Sequence, residues 1–345
     1  MRFLILPFFL FAGCSEYDIG GTPHTEVPGL NGAVRGQICD ASGDAWLNDA
    51  LVWVEVDLDG DGAFDGTIDT KTDEEGLFLL EGVPMGEQVI TVEKGRFHTT
   101  IDVNIDTTDV IELATPACIE QKEVTLAVIT GDYDSIQNVL TAMGLEYDQY
   151  KGRGNNDEYI TNLLAKPNKM AEYDIIFFNC GINEIWHDDR EQIASNIREY
   201  VKDGGSIYTS DWAHGFFEYA YPNAADFWGN DNNPADARVG AKGQVQGKIL
   251  DKPMKKALGQ SKAKLVYDLD SWVVVSEVAS DTEILVEGKA VIEDWANNDF
   301  TELNDAPLAI RIKKGEGTAL YTTFHNEQQI SLDMAILLEE IVYSL

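Results

Sequence analysis

The chain has 345 residues, 44% of them apolar, enough to bury a sizeable core and too many for a disordered polymer. It sets 25 basic against 60 acidic side chains, a formal charge of -35. Such a surface repels phosphate backbones and anionic lipid, which argues against a nucleic-acid partner and suits a soluble, secreted or cation-binding protein. Most of these carboxylates need serve nothing beyond solubility.

The N-terminus, "MRFLILPFFLFAGC", has one basic residue, Arg2, an apolar run from Phe3 to Ala12, and then Gly13-Cys14. The run is too short to span a bilayer and has signal-peptide proportions. "FAGC" resembles a bacterial lipobox, with Phe11 where leucine is usual. The resemblance implies a signal peptide over 1–13 and lipidation of Cys14, so that the membrane is met through an anchor. An ordinary cleaved signal is the alternative. Ser15 stands where an aspartate would retain the protein in the inner membrane, which points to an outer-membrane lipoprotein on the periplasmic or the outer face. Residues 14–31, rich in glycine and proline, form a linker.

From 32 to 118 short apolar stretches alternate with turn signals, as in "ALVWVEV", "GLFLLEGV" and "EQVITVE". Val52, Val54 and Val56 share one face of a strand, with Leu51 and Trp53 on the other, so both faces of that strand are expected to be covered. Strands at this spacing without helices predict a small antiparallel β-sandwich. "VRGQICDASG", "NDALVWV" and "TDEEGLFLLEGVPMG" resemble the carboxypeptidase regulatory-like family, which implies an accessory, non-catalytic module. Cys39 and Cys118 bracket the segment, and an exported compartment permits a disulfide between them. Cys180, in "YDIIFFNCG", reads as a buried, reduced side chain.

Within this segment "DLDGDGAFDGTID" places Asp57, Asp59, Asp61 and Asp65 at positions 1, 3, 5 and 9 of a loop, with Gly62 at position 6. Carboxylates at alternate positions of a tight turn converge on a point, and calcium takes six to eight hard oxygens, the Ala63 carbonyl among them. Position 12 is Ile68, and Asp69 follows it. The pattern therefore resembles the loops of calcium-binding adhesive repeats more than an EF-hand, and a structural calcium is expected. A solvated acidic hairpin tip is the alternative.

From 122 to 345 the period changes. "EVTLAVITG", "YDIIFFN", "SIYTS" and "TALYTTF" read as buried strands, and "SIQNVLTAM", 188–202 and "SLDMAILLEEIVYSL" as amphipathic helices. Buried strands alternating with helices predict an α/β domain around a parallel sheet, with ligands beyond the carboxyl ends of its strands. Between about 228 and 300 the pattern loosens into polar, strand-rich stretches, expected as an insertion beside the sheet. Strand order, "YVKDGGSIYTS" and "YTTFHNE" resemble the class I glutamine-amidotransferase-like fold, flavodoxin-like in its sheet, in its ThuA-like branch.

That resemblance implies Ser210 at the nucleophile position, where the enzymes carry cysteine, with His325 as base and Glu327 as its orienting acid. Gly181 falls near an oxyanion loop, and Asn183, Asp211, Trp212 and His214 complete a pocket. Large neighbours, Tyr208 and Trp212, disfavour a strained elbow at Ser210, and loss of the thiol disfavours glutamine amidotransfer. His187, Asp211, His214 and His325 are an alternative metal set without a tight motif. Trp212, Phe216, Phe217 and Tyr219 are either a sugar-stacking wall or core packing. The leading expectation is an envelope lipoprotein with a calcium-stabilised sandwich and a non-catalytic ligand-binding domain for a small molecule, a carbohydrate or a protein. The rival is a serine-dependent hydrolase or carbohydrate-processing enzyme using Ser210, His325 and Glu327.

Overall fold

A computed structural model describes residues 31–57, 59–153, 158–182, 190–229, 234–294, 299–325 and 331–345. The signal peptide, Cys14 and all but the last residue of the linker lie outside the described residues, as do Asn183, His187 and Glu327.

The N-terminal body is built from β1 (Asn31–Cys39), β2 (Leu51–Val56), β3 (Gly66–Lys71), β4 (Leu77–Pro84), β5 (Gly86–Lys94), β6 (Phe97–Ile105), β7 (Val110–Glu112) and β8 (Ala117–Cys118). One sheet has the order β3-β2-β5-β6 and is antiparallel throughout. The other is mixed: β4 runs antiparallel to β1, whereas β7 and β8 run parallel to it. The purely antiparallel expectation fails there because the chain crosses from one sheet to the other after β6 and re-enters alongside β1 in the same direction. Val52, Val54 and Val56 are buried between the sheets, while Leu51 and Trp53 are only half-covered, since nothing packs fully on that outer face. Cys39 and Cys118 face each other in the β1–β8 register and are joined by a disulfide.

The C-terminal body opens with β9 (Leu126–Thr130), α1 (Ile136–Ala142), β10 (Asp148–Lys151), a π-helical turn at Ile160–Leu164, α2 (Pro167–Met170), β11 (Ile175–Phe178), α3 (Arg190–Lys202), β12 (Ser206–Ser210) and α4 (His214–Ala220). Then follow β13 (Ala225–Phe227), β14 (Arg238–Gly240), β15 (Gly243–Ile249), α5 (Lys252–Leu258), β16 (Lys262–Tyr267), β17 (Trp272–Val273), β18 (Val275–Val278), β19 (Glu283–Asp294), β20 (Asp299–Lys314), β21 (Gly317–Thr322) and α6 (Leu332–Ser344). Five strands pair in parallel in the order β10-β9-β11-β12-β21.

Period-2 alternation along these strands sends Val128, Phe177, Tyr208 and Leu320 to one face, where they join Ile136 and Leu140 of α1 and Leu337 and Ile341 of α6. Ile129, Phe178, Ile207 and Tyr321 go to the other, against Ile193 and Ile197 of α3 and Phe217 of α4. Both faces are covered, which is why the strands read as continuous apolar runs.

The 228–300 region, expected as an insertion beside the sheet, lies beyond β21 and extends that sheet. Its β19 forms a long hairpin with β20, which pairs antiparallel with β21, and β14 with β17 and β15 with β16 join beyond β19 to bring the sheet to eleven strands. The free edge of β21 offers unpaired backbone groups that the hairpin satisfies.

The two bodies share one hydrophobic cluster that runs from Val34 to Leu345. Phe97 meets Tyr343 edge-on at 5.6 Å, a geometry worth about 0.5–1.5 kcal/mol beyond area burial. Beside it the Arg96 guanidinium donates to the carbonyls of Leu345 (2.9 Å) and Gly204 (2.6 Å), and Lys94 pairs with Glu340 at 2.8 Å in a buried setting. The turn between β5 and β6 approaches so closely that a Cβ on Gly95 would lie 1.9 Å from the Tyr343 carbonyl oxygen.

Candidate functional site

β11, β12 and β21 are neighbours in the parallel sheet, so their carboxyl ends open on one crevice. Each is followed by chemistry-bearing residues: Asn179-Cys180-Gly181, Asp211-Trp212 and Phe324-His325.

The ladder between β12 and β21 holds through the Ser210–Thr322 pair, and Ser210 is extended at φ -119 and ψ 135. The chain turns one residue later. Asp211 sits at φ 42, in the left-handed region, and starts the 3-10 turn that leads into α4. The strand-to-helix elbow therefore belongs to Asp211 and not to Ser210, because sheet pairing holds Ser210 within the strand. A strained residue of this kind costs about 1–3 kcal/mol and persists where its surroundings fix it. Here Asp211 Oδ1 accepts from the Val273 N–H at 2.7 Å, and Oδ2 accepts from the Cys180 thiol at 3.4 Å. His325 Nδ1 is 3.6 Å from the same Oδ2. Cys180, Asp211 and His325 thus each offer a donor atom within 4.8 Å of the other two.

Ser210 is fully buried. Its hydroxyl accepts from the Cys180 N–H at 3.0 Å and donates to the Asp134 carboxylate, with the Phe178 carbonyl a longer second acceptor at 3.4 Å. None of its hydrogen bonds goes to His325. Burial pushes the Cys180 thiol well above its ordinary range, and the charges of Asp211 and Asp134 add to the shift. The thiol is therefore protonated at neutral pH unless a cation displaces its proton.

Above this floor lies a cleft of about 300 Å³. Trp212 and Tyr133 meet edge-on at 5.3 Å on one side, and Tyr267 stacks on Trp272 at 4.3 Å on another. Both indoles are tethered through their N–H groups, Trp212 to the Ser271 carbonyl and Trp272 to the Ala241 carbonyl, each at 2.8 Å. The Arg238 guanidinium lies 4.1 Å over the Trp212 ring, and its own burial lowers its pKa. Asp268, Asp270 and the exposed Leu269 line the same cleft.

Of the residues expected in the pocket, Asp211, Trp212 and His325 line it. Gly181 adopts φ 85 beside it, where a Cβ would lie 2.7 Å from the Tyr133 ring. His214 does not line it: it is fully buried at the start of α4, with its ring 5.2 Å from Phe227. Phe216 and Phe217 are core residues, and Tyr219 packs under Arg190, so of the four aromatic residues only Trp212 faces the cleft.

Asp134, Tyr267 and Trp272 escaped the sequence reading, whereas Cys180 is buried and reduced as expected but stands at the site, where no role was expected of it. The signal for Cys180 was its place directly after a strand end. Tyr267 and Trp272 lay in the strand-rich 228–300 stretch, where local sequence does not say which strand pairs with which.

In the acidic loop, Asp57, Asp59 and Asp61 bring carboxylate oxygens within 4.8 Å of one another. Asp57 is held by the amides of Gly60 and Gly62, both at 2.7 Å, and the Gly62 amide leads in lowering its pKa. Asp69 is not in that group: it is exposed in β3, opposite Trp53.

No protein-family model matches the chain, and no curated protein does. Among solved structures, a β-galactosidase from Rahnella sp. R3 is 15% identical with a TM-score of 0.38, over 64% of this chain and 32% of that one. A cytoplasmic protein of Salmonella typhimurium LT2, STM1381, is 12% identical with a TM-score of 0.39, over 73% of this chain and 93% of its own. The pilin subunit BcpA of Bacillus cereus is 16% identical with a TM-score of 0.20, over 26% of this chain and 30% of its own. The chain spans about a third of the length of the β-galactosidase. At these scores the likenesses carry no argument about function.

Proposed function

We propose that the chain is a cell-envelope lipoprotein whose α/β body binds a small polyhydroxylated ligand, a sugar, in the cleft above β11, β12 and β21. The observation that carries this reading is Asp211 at the elbow: a carboxylate occupies the place where a nucleophile would stand, and the hydroxyl of the preceding residue, Ser210, is buried and committed to Asp134. Rigid aromatic faces beside carboxylates suit the apolar and hydroxyl faces of a sugar ring, and a cleft of this size suits one or two rings. The parallel order β10-β9-β11-β12-β21 matches the 2-1-3-4-5 order of flavodoxin-like sheets, which supports the amidotransferase-like reading of the body. The lipid anchor rests on the sequence of residues 1–14. A structural calcium at Asp57, Asp59 and Asp61 is supported by the convergence of their carboxylates.

The test is a titration of the full chain with a panel of mono- and oligosaccharides, read by tryptophan fluorescence and calorimetry. The reading expects saturable binding that Trp212→Ala abolishes and Ser210→Ala leaves nearly unchanged. Absence of a response across the panel removes the sugar. Ester or glycoside turnover lost in Ser210→Ala would instead restore the serine hydrolase.

A further inference from the structure

We infer that Cys180, Asp211 and His325 form a zinc-type metal site on the floor of the cleft. Each of three adjacent parallel strands delivers one donor at its carboxyl end: a thiolate after β11, a carboxylate after β12 and an imidazole after β21.

The spacing fits the ion. Zinc bonds of about 2.3 Å to sulfur and about 2.0–2.2 Å to nitrogen and oxygen, at tetrahedral angles, set donor pairs about 3.4–3.6 Å apart. The thiol sulfur lies 3.4 Å from Asp211 Oδ2, and His325 Nδ1 lies 3.6 Å from it. All three donor atoms are within 4.8 Å of one another.

The chemistry of the set selects the ion as well. Sulfur and imidazole favour zinc over the hard cations that suit an all-oxygen loop. A thiolate and a carboxylate neutralise its two charges, so a net-neutral centre forms in a buried place. On binding, the Cys180 thiol gives its proton to solvent and the sulfur's lone pair forms the bond to the metal. The backbone holds Asp211 in place, since its Oδ1 is fixed by the Val273 amide while Oδ2 faces the other two donors. Among the described residues three protein ligands gather beside a cleft of about 300 Å³, the arrangement of a site that takes a further ligand.

The inference uses the cleft of the proposed function but does not depend on a sugar as its occupant. The experiment is a cobalt and zinc titration of the chelator-stripped full chain in mild detergent, followed by absorption spectroscopy and metal analysis. One equivalent of cobalt should produce a thiolate-to-cobalt charge-transfer band with the intense visible bands of tetrahedral cobalt, and zinc should displace it. Cys180→Ser should remove the charge-transfer band, and His325→Gln should weaken cobalt binding at least tenfold.

Absence of a charge-transfer band in the unsubstituted chain overturns the site, and that result needs no variant to fold. A band that survives Cys180→Ser overturns it too. So does cobalt bound only with the weak spectrum of an oxygen-ligated ion, which would report the acidic loop. Sugar binding that persists without any thiolate–metal band leaves the proposed function standing and the metal site refuted. A metal-loaded cleft indifferent to every sugar does the reverse.

Discussion

The Ser210 hydroxyl and the Asp134 carboxylate are hydrogen-bonded to each other, tying the end of β12 to the loop after β9 with both side chains buried. Ser210→Ala leaves a buried carboxylate one donor short, which should cost about 1–3 kcal/mol in urea unfolding. Ligand affinity in the cleft should change less than twofold by fluorescence titration. If affinity instead falls as far as in Trp212→Ala, the hydroxyl faces the ligand after all.

The Lys94–Glu340 pair tests how the two bodies are joined. Removing one partner, as in Glu340→Ala, strands a buried ammonium and should cost about 3–5 kcal/mol, while Lys94→Met with Glu340→Leu should come near neutral. Denaturation of the single and double variants separates these outcomes, and equal losses in both would show that the pair itself stabilises the interface.

The same region predicts a pH dependence. Burial raises the Glu340 carboxyl above its ordinary 4.5 although Lys94 is beside it, and burial raises Glu339 as well. A carboxyl with a raised folded-state pKa contributes stability that is full below the unfolded value and lost as pH rises through the folded one. Stability should therefore decline above about pH 4.5 by a component that Glu340→Gln reduces. Melting curves of both proteins between pH 4 and 8 would check this, and parallel curves would contradict it.

Gly95 stands at φ 59 in the tight turn that meets the last turn of α6, with room for no side chain against the Tyr343 carbonyl. Gly95→Ala should cost about 2 kcal/mol or more through strain and displacement of that contact. Scanning calorimetry should show the single transition broaden or split as the sandwich and the α/β body uncouple. An unchanged single transition would mean that the interface tolerates a shift of the turn.

The Cys39–Cys118 disulfide spans 79 residues, and closing a loop of that length is worth about 4–5 kcal/mol through the unfolded state. Reduction should lower the unfolding midpoint accordingly. Among Cys39, Cys118 and Cys180, alkylation in denaturant should label only Cys180 before reduction and all three after it.

For the acidic loop, calcium should raise the melting temperature and chelator should lower it. Asp57→Asn should remove the response, because Asp57 anchors the loop through the Gly60 and Gly62 amides while sharing the carboxylate cluster. Calorimetry with calcium alone decides it: no heat of binding and no shift would leave a solvated hairpin tip.

Much of this architecture follows from local pattern. The alternation at Val52, Val54 and Val56, the continuous runs of β9, β11, β12 and β21, and the helical spacing of α1 and α6 each record which faces must leave water. That requirement is written within a few residues, so strand, helix and the change from sandwich to α/β are legible without tertiary contacts. The disulfide partners were legible for a related reason, since two cysteines bracketing one body leave few alternatives.

What only the folded chain decided is where the strand stops and what gathers beyond it. Ser210 and Asp211 are adjacent in sequence and both polar, yet pairing with Thr322 keeps one in the sheet and gives the other the elbow. Cys180 and His325 are 145 positions apart by number, and they meet at Asp211 because β11, β12 and β21 are neighbours in a parallel sheet. Tyr267 and Trp272 reach the cleft on β16 and β17, which join the sheet through β15 and β14 at β19, a pairing that alternation within each strand does not specify. Local burial is encoded by each segment for itself. A site assembled from strand ends is encoded by register and strand order, which belong to the whole chain at once.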